Sequence, residues 1–321
     1  MKKKIILFVL LQIIWVTGFS QSLSLQNLGD TFQCTNLDVR WNTPTNALPR
    51  TVWVYHLLPR KFPPEAVSNL TALCGFTEKD KKISNADEVV YKNADNFPSK
   101  QLGFSLSHGS IYYVTVSHYG PTNLAKEVPV MSRMPELTTN FLSKFGVSIS
   151  EIEKNTNGAP NFHFFEPRRE YFVKGKIITD IEFRAVDFRR SVDGGAFLGA
   201  GTGGDGQIEF GEQSKPVKID LSWRNLERYK SYPVVTPEAI MKRIREGKAV
   251  QLPIPDNLGV IDWQSVKSLT VRKAQLCYYA GDRFTPSDWL MPLVSLWTIV
   301  DTGHENVDVE IDCPIIDETK P

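Results

Sequence analysis

The chain predicts an α+β fold in which antiparallel β-sheets are each packed with one or two helices, arranged as two related lobes. Three observations carry this. Apolar residues alternate with polar ones along much of the second half, as at Val217, Ile219, Leu221 and Trp223 in "VKIDLSW", the period of a half-buried strand. Three stretches, "PPEAV", "MPELT" and "TPEAI", read as helix starts, and strand-like sequence follows each. Tight-turn signals such as Asp193-Gly194 separate the strand patterns.

The first element stands outside that fold. In "MKKKIILFVLLQIIWVTGFSQS" three lysines precede an apolar run from Ile5 to Val16, and Gly18 and Ser20 occupy the −3 and −1 positions of a cut before Gln21. This is the layout of a secretory signal peptide over residues 1–20. The run is short for a membrane span, which takes about 20 residues. Retention of the segment as an anchor is the alternative. Cleavage after Ser20 of the 321-residue chain leaves 301 residues, enough for two domains. Prolines at 121, 129 and 135 place the boundary, giving an N-terminal domain over 21–125 and a C-terminal one over 126–321. The whole chain has 37 basic and 36 acidic residues; without the three signal lysines the balance is 34 to 36. Nothing in that near-neutral balance suggests a polyanion partner in bulk, and no nucleic acid is expected. No second long apolar segment follows, so no membrane span is expected after cleavage.

The elements then run in order. "TVWVYHLL" at Thr51–Leu58 reads as a strand, and a helix follows from Pro64, closed by Gly75. Short strands are expected near Glu88–Tyr91, Gln101–Leu106 and Ile111–Ser117, with "SHGS" as the turn between the last two. A second helix spans about Pro135–Phe145, and a short one Ser150–Lys154. Two long strands fill Asn161–Phe188, joined near Lys174-Gly175-Lys176. Two hairpins come next, one at "SVDGGAFLG" and one pairing Gln207–Gly211 with Val217–Trp223. Thr236 caps a third helix, Pro237 and Glu238 suit its first turn and Gly247 ends it. Strands at Ser268–Ala280, Met291–Asp301 and Asn306–Asp312 finish the chain.

Four cysteines, Cys34, Cys74, Cys277 and Cys313, suit an oxidising compartment. Their spacing favours Cys34–Cys74 and Cys277–Cys313 over a metal site, because zinc ligands usually come in close pairs. Buried free thiols are the alternative.

"GAGTGGDG" at 199–206 contains Gly-x-Gly-x-x-Gly, but strand-like "QIEFGE" follows where a dinucleotide loop needs a helix. The glycines therefore read as a bulged or flexible hairpin. There is no Gly-x-Ser-x-Gly, and "GFSLSHG", which brings serines close to His108, does not spell a triad. His56, His108, His118, His163 and His304 are scattered. Asp308, Glu310 and Asp312 are expected along one solvated strand face, and Asp180 and Glu182, two apart, as ordinarily exposed rather than a glycosidase pair. Arg168, Arg169, Arg184, Arg189, Arg190, Arg224, Arg228 and Lys230, with Tyr229 and Tyr232, could form a patch for an anionic glycan or acidic partner. Interleaved Glu166, Glu170, Asp187 and Glu227 favour cross-strand ion pairs instead.

The stretches "RRSVDGGAFLGAGTGGDGQIEFGEQSKPVKIDLSWRNL", "VVTPEAIMKRIREGKAV", "VRKAQLCYYAG" and "MPLVSLWTIV" resemble, in order and turn placement, YycH/YycI-type extracytoplasmic regulatory proteins and the wider PepSY-like domains. The resemblance covers roughly residues 170–312. It implies a non-enzymatic module that acts outside the membrane through contacts with sensor kinases or peptidases, and it carries no catalytic residues. A cleaved signal departs from YycI-like proteins, which keep a membrane helix, so kinase regulation does not carry over. Residues 21–160 share no such likeness.

The expectation is an exported, non-enzymatic binding or regulatory protein that holds no cofactor or metal and contacts a protein or peptide in the cell envelope. The alternative is a secreted hydrolase whose site is scattered in sequence. It would present a concave pocket lined by titratable groups.

Overall fold

The computed structural model describes residues 30–32, 36–44, 46–93, 99–115, 124–198, 203–252, 261–281 and 286–317. The predicted signal segment lies outside these residues, and so do Cys34, His118 and residues 199–202 of the glycine stretch.

The strands are β1 Asp30–Thr31, β2 Asp38–Trp41, β3 Thr51–Leu58, β4 Lys81–Ser84, β5 Glu88–Asn93, β6 Lys100–Ser105, β7 Ser110–Thr115, β8 His163–Phe165, β9 Arg169–Val173, β10 Lys176–Asp180, β11 Arg184–Arg189, β12 Ser191–Val192, β13 Gly195–Leu198, β14 Asp205–Phe210, β15 Pro216–Ser222, β16 Asn225–Pro233, β17 Val250–Gln251, β18 Ser268–Gly281, β19 Pro286–Asp301 and β20 Asn306–Pro314. The helices are α1 Pro64–Leu73, α2 Met134–Lys144 and α3 Pro237–Arg245.

This corrects the predicted fold class. With 51% strand and 17% helix the protein is mostly β, built on large curled sheets, and is not a balanced α+β fold. An eight-stranded antiparallel sheet has the order β4-β5-β6-β7-β15-β14-β11-β8. A ten-stranded sheet follows the path β1-β17-β20-β19-β18-β13-β12, with β2 on β18, and β3 between β19 and β16. It is mixed rather than antiparallel, because β13 and β2 both run parallel to β18. Strands β9 and β10 form a ribbon of their own.

The long strands explain the curl. At about 3.3 Å per residue, the 16 residues of β19 are paired from end to end by β18 on one edge but outrun any single partner on the other. One edge of β19 pairs first with β3, at Trp289 and Leu290, and then with β20 from Leu293 onward. Pro292 falls between these two partners, where a missing N–H costs no ladder bond on that edge. Bulges at Val271/Lys273 and Tyr279/Gly281 bend β18 against it.

Two cores result. Side chains of α1 (Ala66, Leu70) and α2 (Met134, Phe141, Leu142) pack with Leu102, Ile111, Ile208 and Trp223 of the eight-stranded half. Ile240 and Ile244 of α3 pack on the ten-stranded sheet. The three helix-opening motifs thus do not mark three equivalent units. Strands on both sides of the boundary expected at 125/126 pair in each sheet, β7 with β15 and β3 with β16, so hydrogen bonding runs straight across it. Thr236 Oγ accepts from Ala239 N at 3.4 Å, as its place before α3 foretold. No helix among the described residues is long and apolar enough to cross a membrane.

Cys74, Cys277 and Cys313 are buried free thiols. The Cys277–Cys313 bridge fails on register. Cys277 lies opposite Leu293, and Cys313 opposite Val294, on the strand between them. Adjacent residues of β19 point to opposite faces, and two strand spacings exceed the Cα separation a disulfide tolerates.

Candidate functional site

The β9–β10 ribbon is made by a two-residue turn. Lys174 (φ 48°) and Gly175 (φ 75°) both take left-handed conformations, which suits the right-handed twist of a hairpin. Its sequence is apolar at consecutive positions, Tyr171-Phe172-Val173 and Ile177-Ile178, so both faces carry apolar groups. One face turns to the body. There Glu182, 4% exposed, accepts from Arg169 Nη1 at 2.8 Å and from Tyr171 Oη at 3.1 Å. Asp180, 5% exposed, accepts from the Ala125 backbone N–H at 3.3 Å. The expected ordinary exposure of Asp180 and Glu182 is therefore wrong; both are buried anchors. The other face points outward. Phe172 and Ile177 are directly paired across the ribbon and remain 79% and 66% exposed.

A second feature lies on the open face of the eight-stranded sheet. A cavity of about 620 Å³ is lined by Asp187, Arg189, Asp205, Gln207, His163 and Asp220, among others. A smaller one of about 290 Å³ adjoins it at Asp220 and holds Asp87, Ser105, His108 and Tyr112. Tyr112 lies flat over Gly103, where an added Cβ would come within 2.0 Å of the ring. His108 Nδ1 is 3.2 Å from Ser105 Oγ and 2.9 Å from Ser107 Oγ. Asp87 accepts from Ser107, not from the imidazole. A triad needs the carboxylate to orient the base; here the carboxylate holds a serine that competes for the same ring nitrogen.

The glycine stretch leads from Gly203 directly into β14, a strand and not a helix. An added Cβ at Gly204 would lie 2.1 Å from the Phe197 ring, so close packing of an aromatic accounts for that residue. The arginines do not form one patch. Arg168 and Arg184 share Glu166, Arg169 pairs with Glu182, Arg190 with Glu151, Arg224 with Asp288 and Arg228 with Asp193. Ion pairing dominates as expected, but only Glu166 among the predicted acids takes part in these pairs. On β20, Asp308 is exposed while Asp312 is fully buried, so that acidic face is not uniformly solvated. Among the described residues no three His, Cys, Asp or Glu side chains are placed to hold a metal ion.

No family model matches the chain, and no curated protein does. Among solved structures, an uncharacterized protein from Eubacterium rectale ATCC 33656 is similar over 86% of each chain, at 9% identity and a TM-score of 0.44. A likeness at that level fixes neither family nor function. The resemblance to YycH/YycI-type and PepSY-like domains gains no support from these comparisons.

Proposed function

We propose that this is an exported, non-enzymatic binding protein that docks a partner protein in the cell envelope through the outer face of the β9–β10 ribbon. The observation behind the reading is the cross-strand pair of Phe172 and Ile177, two large apolar side chains held out to solvent on a ribbon whose other face is fastened down. Burying such a pair yields roughly 1.5–3 kcal/mol per side chain, and aromatic anchors of this kind dominate interface energetics. The free edges of a two-stranded ribbon also permit strand addition by a partner. Lys174 and Lys176, exposed at the turn of the ribbon, favour a partner with an apolar centre and an acidic rim.

The test is photo-crosslinking in cells that produce the chain with a benzophenone side chain at position 172 or 177. A discrete adduct at both positions, absent from an exposed control at Glu136, is expected. Phe172→Ser with Ile177→Ser should abolish the adduct from a probe at position 174 without lowering Tm. No adduct at either position, or one that survives the double substitution, overturns the reading.

A further inference from the structure

We propose that the seam between the two sheets is a binding site for a small oxyanion, a phosphate or sulfate group carried on a compact polar body. The site is independent of the ribbon. An open cavity of about 530 Å³ lies where β3 and β16 of one sheet approach the end of β11 of the other, within the size range of small-ligand pockets. Three guanidinium groups line it, those of Arg60, Arg190 and Arg228, and Glu151 is the one acid among the lining residues. Asp193 pairs with Arg228 at 3.1 Å from beside the cavity. Counting both acids, one positive charge remains in excess.

That excess is not dispersed in solvent. The Arg190 side chain is 6% exposed. Its Nη2 meets Glu151 Oε2 at 2.6 Å and its Nη1 meets the Arg224 carbonyl at 2.5 Å, while its Nε has no hydrogen-bond partner among the described residues. Arg60 forms no ion pair among the described residues. It uses only Nη2, which donates to the carbonyls of Gly146 at 2.6 Å and Phe145 at 3.3 Å. Its Nε and Nη1 have no acceptor among the described residues. Burial lowers the pKa of both arginines, Arg190 to about 10, and the two cations oppose one another. A doubly charged oxyanion would relieve that repulsion and give the planar forks the acceptors they match best. Ser191 and Asn225 add polar groups, and Val192 and Leu226 supply a small apolar wall. Residues of β3, β12 and β16 in the ten-stranded sheet line the cavity together with Glu151 from the turn after α2 and Arg190 from the link after β11, so an occupant would tie these segments together and stabilise the fold by mass action.

The test is calorimetric titration of inorganic phosphate, sulfate and acetate into the full chain at constant ionic strength, with Tm followed in parallel. Saturable binding of phosphate or sulfate with a rise in Tm is expected. Acetate, which carries a single charge, should bind at least tenfold more weakly, and acetate binding as tightly would overturn the assignment to phosphate or sulfate. Arg60→Gln should raise Kd tenfold or more. Glu151→Gln keeps an acceptor for Arg190 while removing the opposing charge, so it should lower Kd several-fold, a gain that a merely structural role would not produce. If Arg60→Gln fails to fold, Arg228→Gln, whose side chain is 57% exposed, must show the weakening. Absence of saturable binding by both phosphate and sulfate overturns the proposal. So does an equal weakening by Arg133→Gln, remote from the cavity lining.

Discussion

Replacing Asp312 with asparagine should stabilise the protein at pH 8 and leave it unchanged at pH 4. Asp312 sits on β20 opposite Ser295 of β19 and Val250 of β17, fully buried, and neither carboxylate oxygen has a hydrogen-bond partner among the described residues. The Ser295 hydroxyl donates instead to Glu310 Oε1 at 2.5 Å. Burial raises the Asp312 pKa to about 7; Ser295 tempers the rise and Glu310 adds to it. Cys277, also buried on this face of the sheet, has its thiol pKa pushed up by burial and by the same two acids. No cation among the described residues offsets the pair.

The sign follows from proton counts. Between pH about 4 and 7 the folded state keeps a proton on Asp312 that the unfolded state has lost, so stability falls as pH rises through this window and levels off above 7. A rise of about 3 units at about 1.4 kcal/mol each sets the cost near 4 kcal/mol at pH 8. At about 2 °C per kcal/mol for a chain of this length, Asp312→Asn should raise Tm by roughly 8 °C at pH 8. The gain should shrink to nothing by pH 4, where the aspartic acid is already neutral. Scanning calorimetry of both proteins at pH 4, 6 and 8 reads this directly. Equal Tm values at pH 8, or a gain of the same size at pH 4, would refute the burial argument.

Glu182→Ala should release the ribbon. Loss of two hydrogen bonds to a buried carboxylate, about 2 kcal/mol locally, predicts tryptic cleavage at Lys174 and Lys176 at least tenfold faster, and an unchanged rate would show the ribbon is held otherwise. Gly204→Ala should cost about 1–3 kcal/mol by forcing a methyl into the Phe197 ring. A Phe197→Leu background should recover much of it, and additive losses in the double-mutant cycle would contradict the packing account. In a Cys34→Ser variant the three remaining thiols should resist an aromatic disulfide reagent while folded and all react in denaturant. Fewer than three after unfolding without reductant would reveal a bridge.

Much of the fold was legible because many of its elements announce themselves locally. Thr51–Leu58 was bounded to the residue by its β-branched and aromatic content. Pro237 and Gly247 framed α3 because a missing N–H is harmless at a helix start and a left-handed φ, 71° at Gly247, closes its end. The strand content exceeds what the pattern predicts because helices advertise through such caps while two-residue strands such as β1 and β17 have no alternation to show. Strand β17 exists because the longer β20 offers free backbone groups, and β1 exists because β17 does. The parallel pairing of β2 with β18 joins residues more than two hundred positions apart, and no periodicity in either segment encodes it.

The candidate sites were legible in proportion to how local their chemistry is. Phe172 and Ile177 left a signal, since five apolar residues around a Lys-Gly turn cannot all face one way on a ribbon. Arg190 and Arg224 left none, because their roles come from what other elements bring. Arg224 donates from Nη2 to the Leu57 carbonyl at 2.6 Å and to Asp288 at 2.7 Å, and from Nη1 to the Ser287 carbonyl at 3.0 Å, all three on the ten-stranded sheet. The Arg190 guanidinium packs over Phe197 and Trp223 while its Nη2 meets Glu151. A buried arginine is retained only where several acceptors converge on its fork, so each of these residues fixes how the sheets meet. The geometry of the seam, and with it the spacing of Arg60, Arg190 and Arg228, is therefore set by the same hydrogen bonds that join the two cores. A ligand binding among those arginines and a substitution that loosens the joint should act on a single equilibrium, with opposite sign.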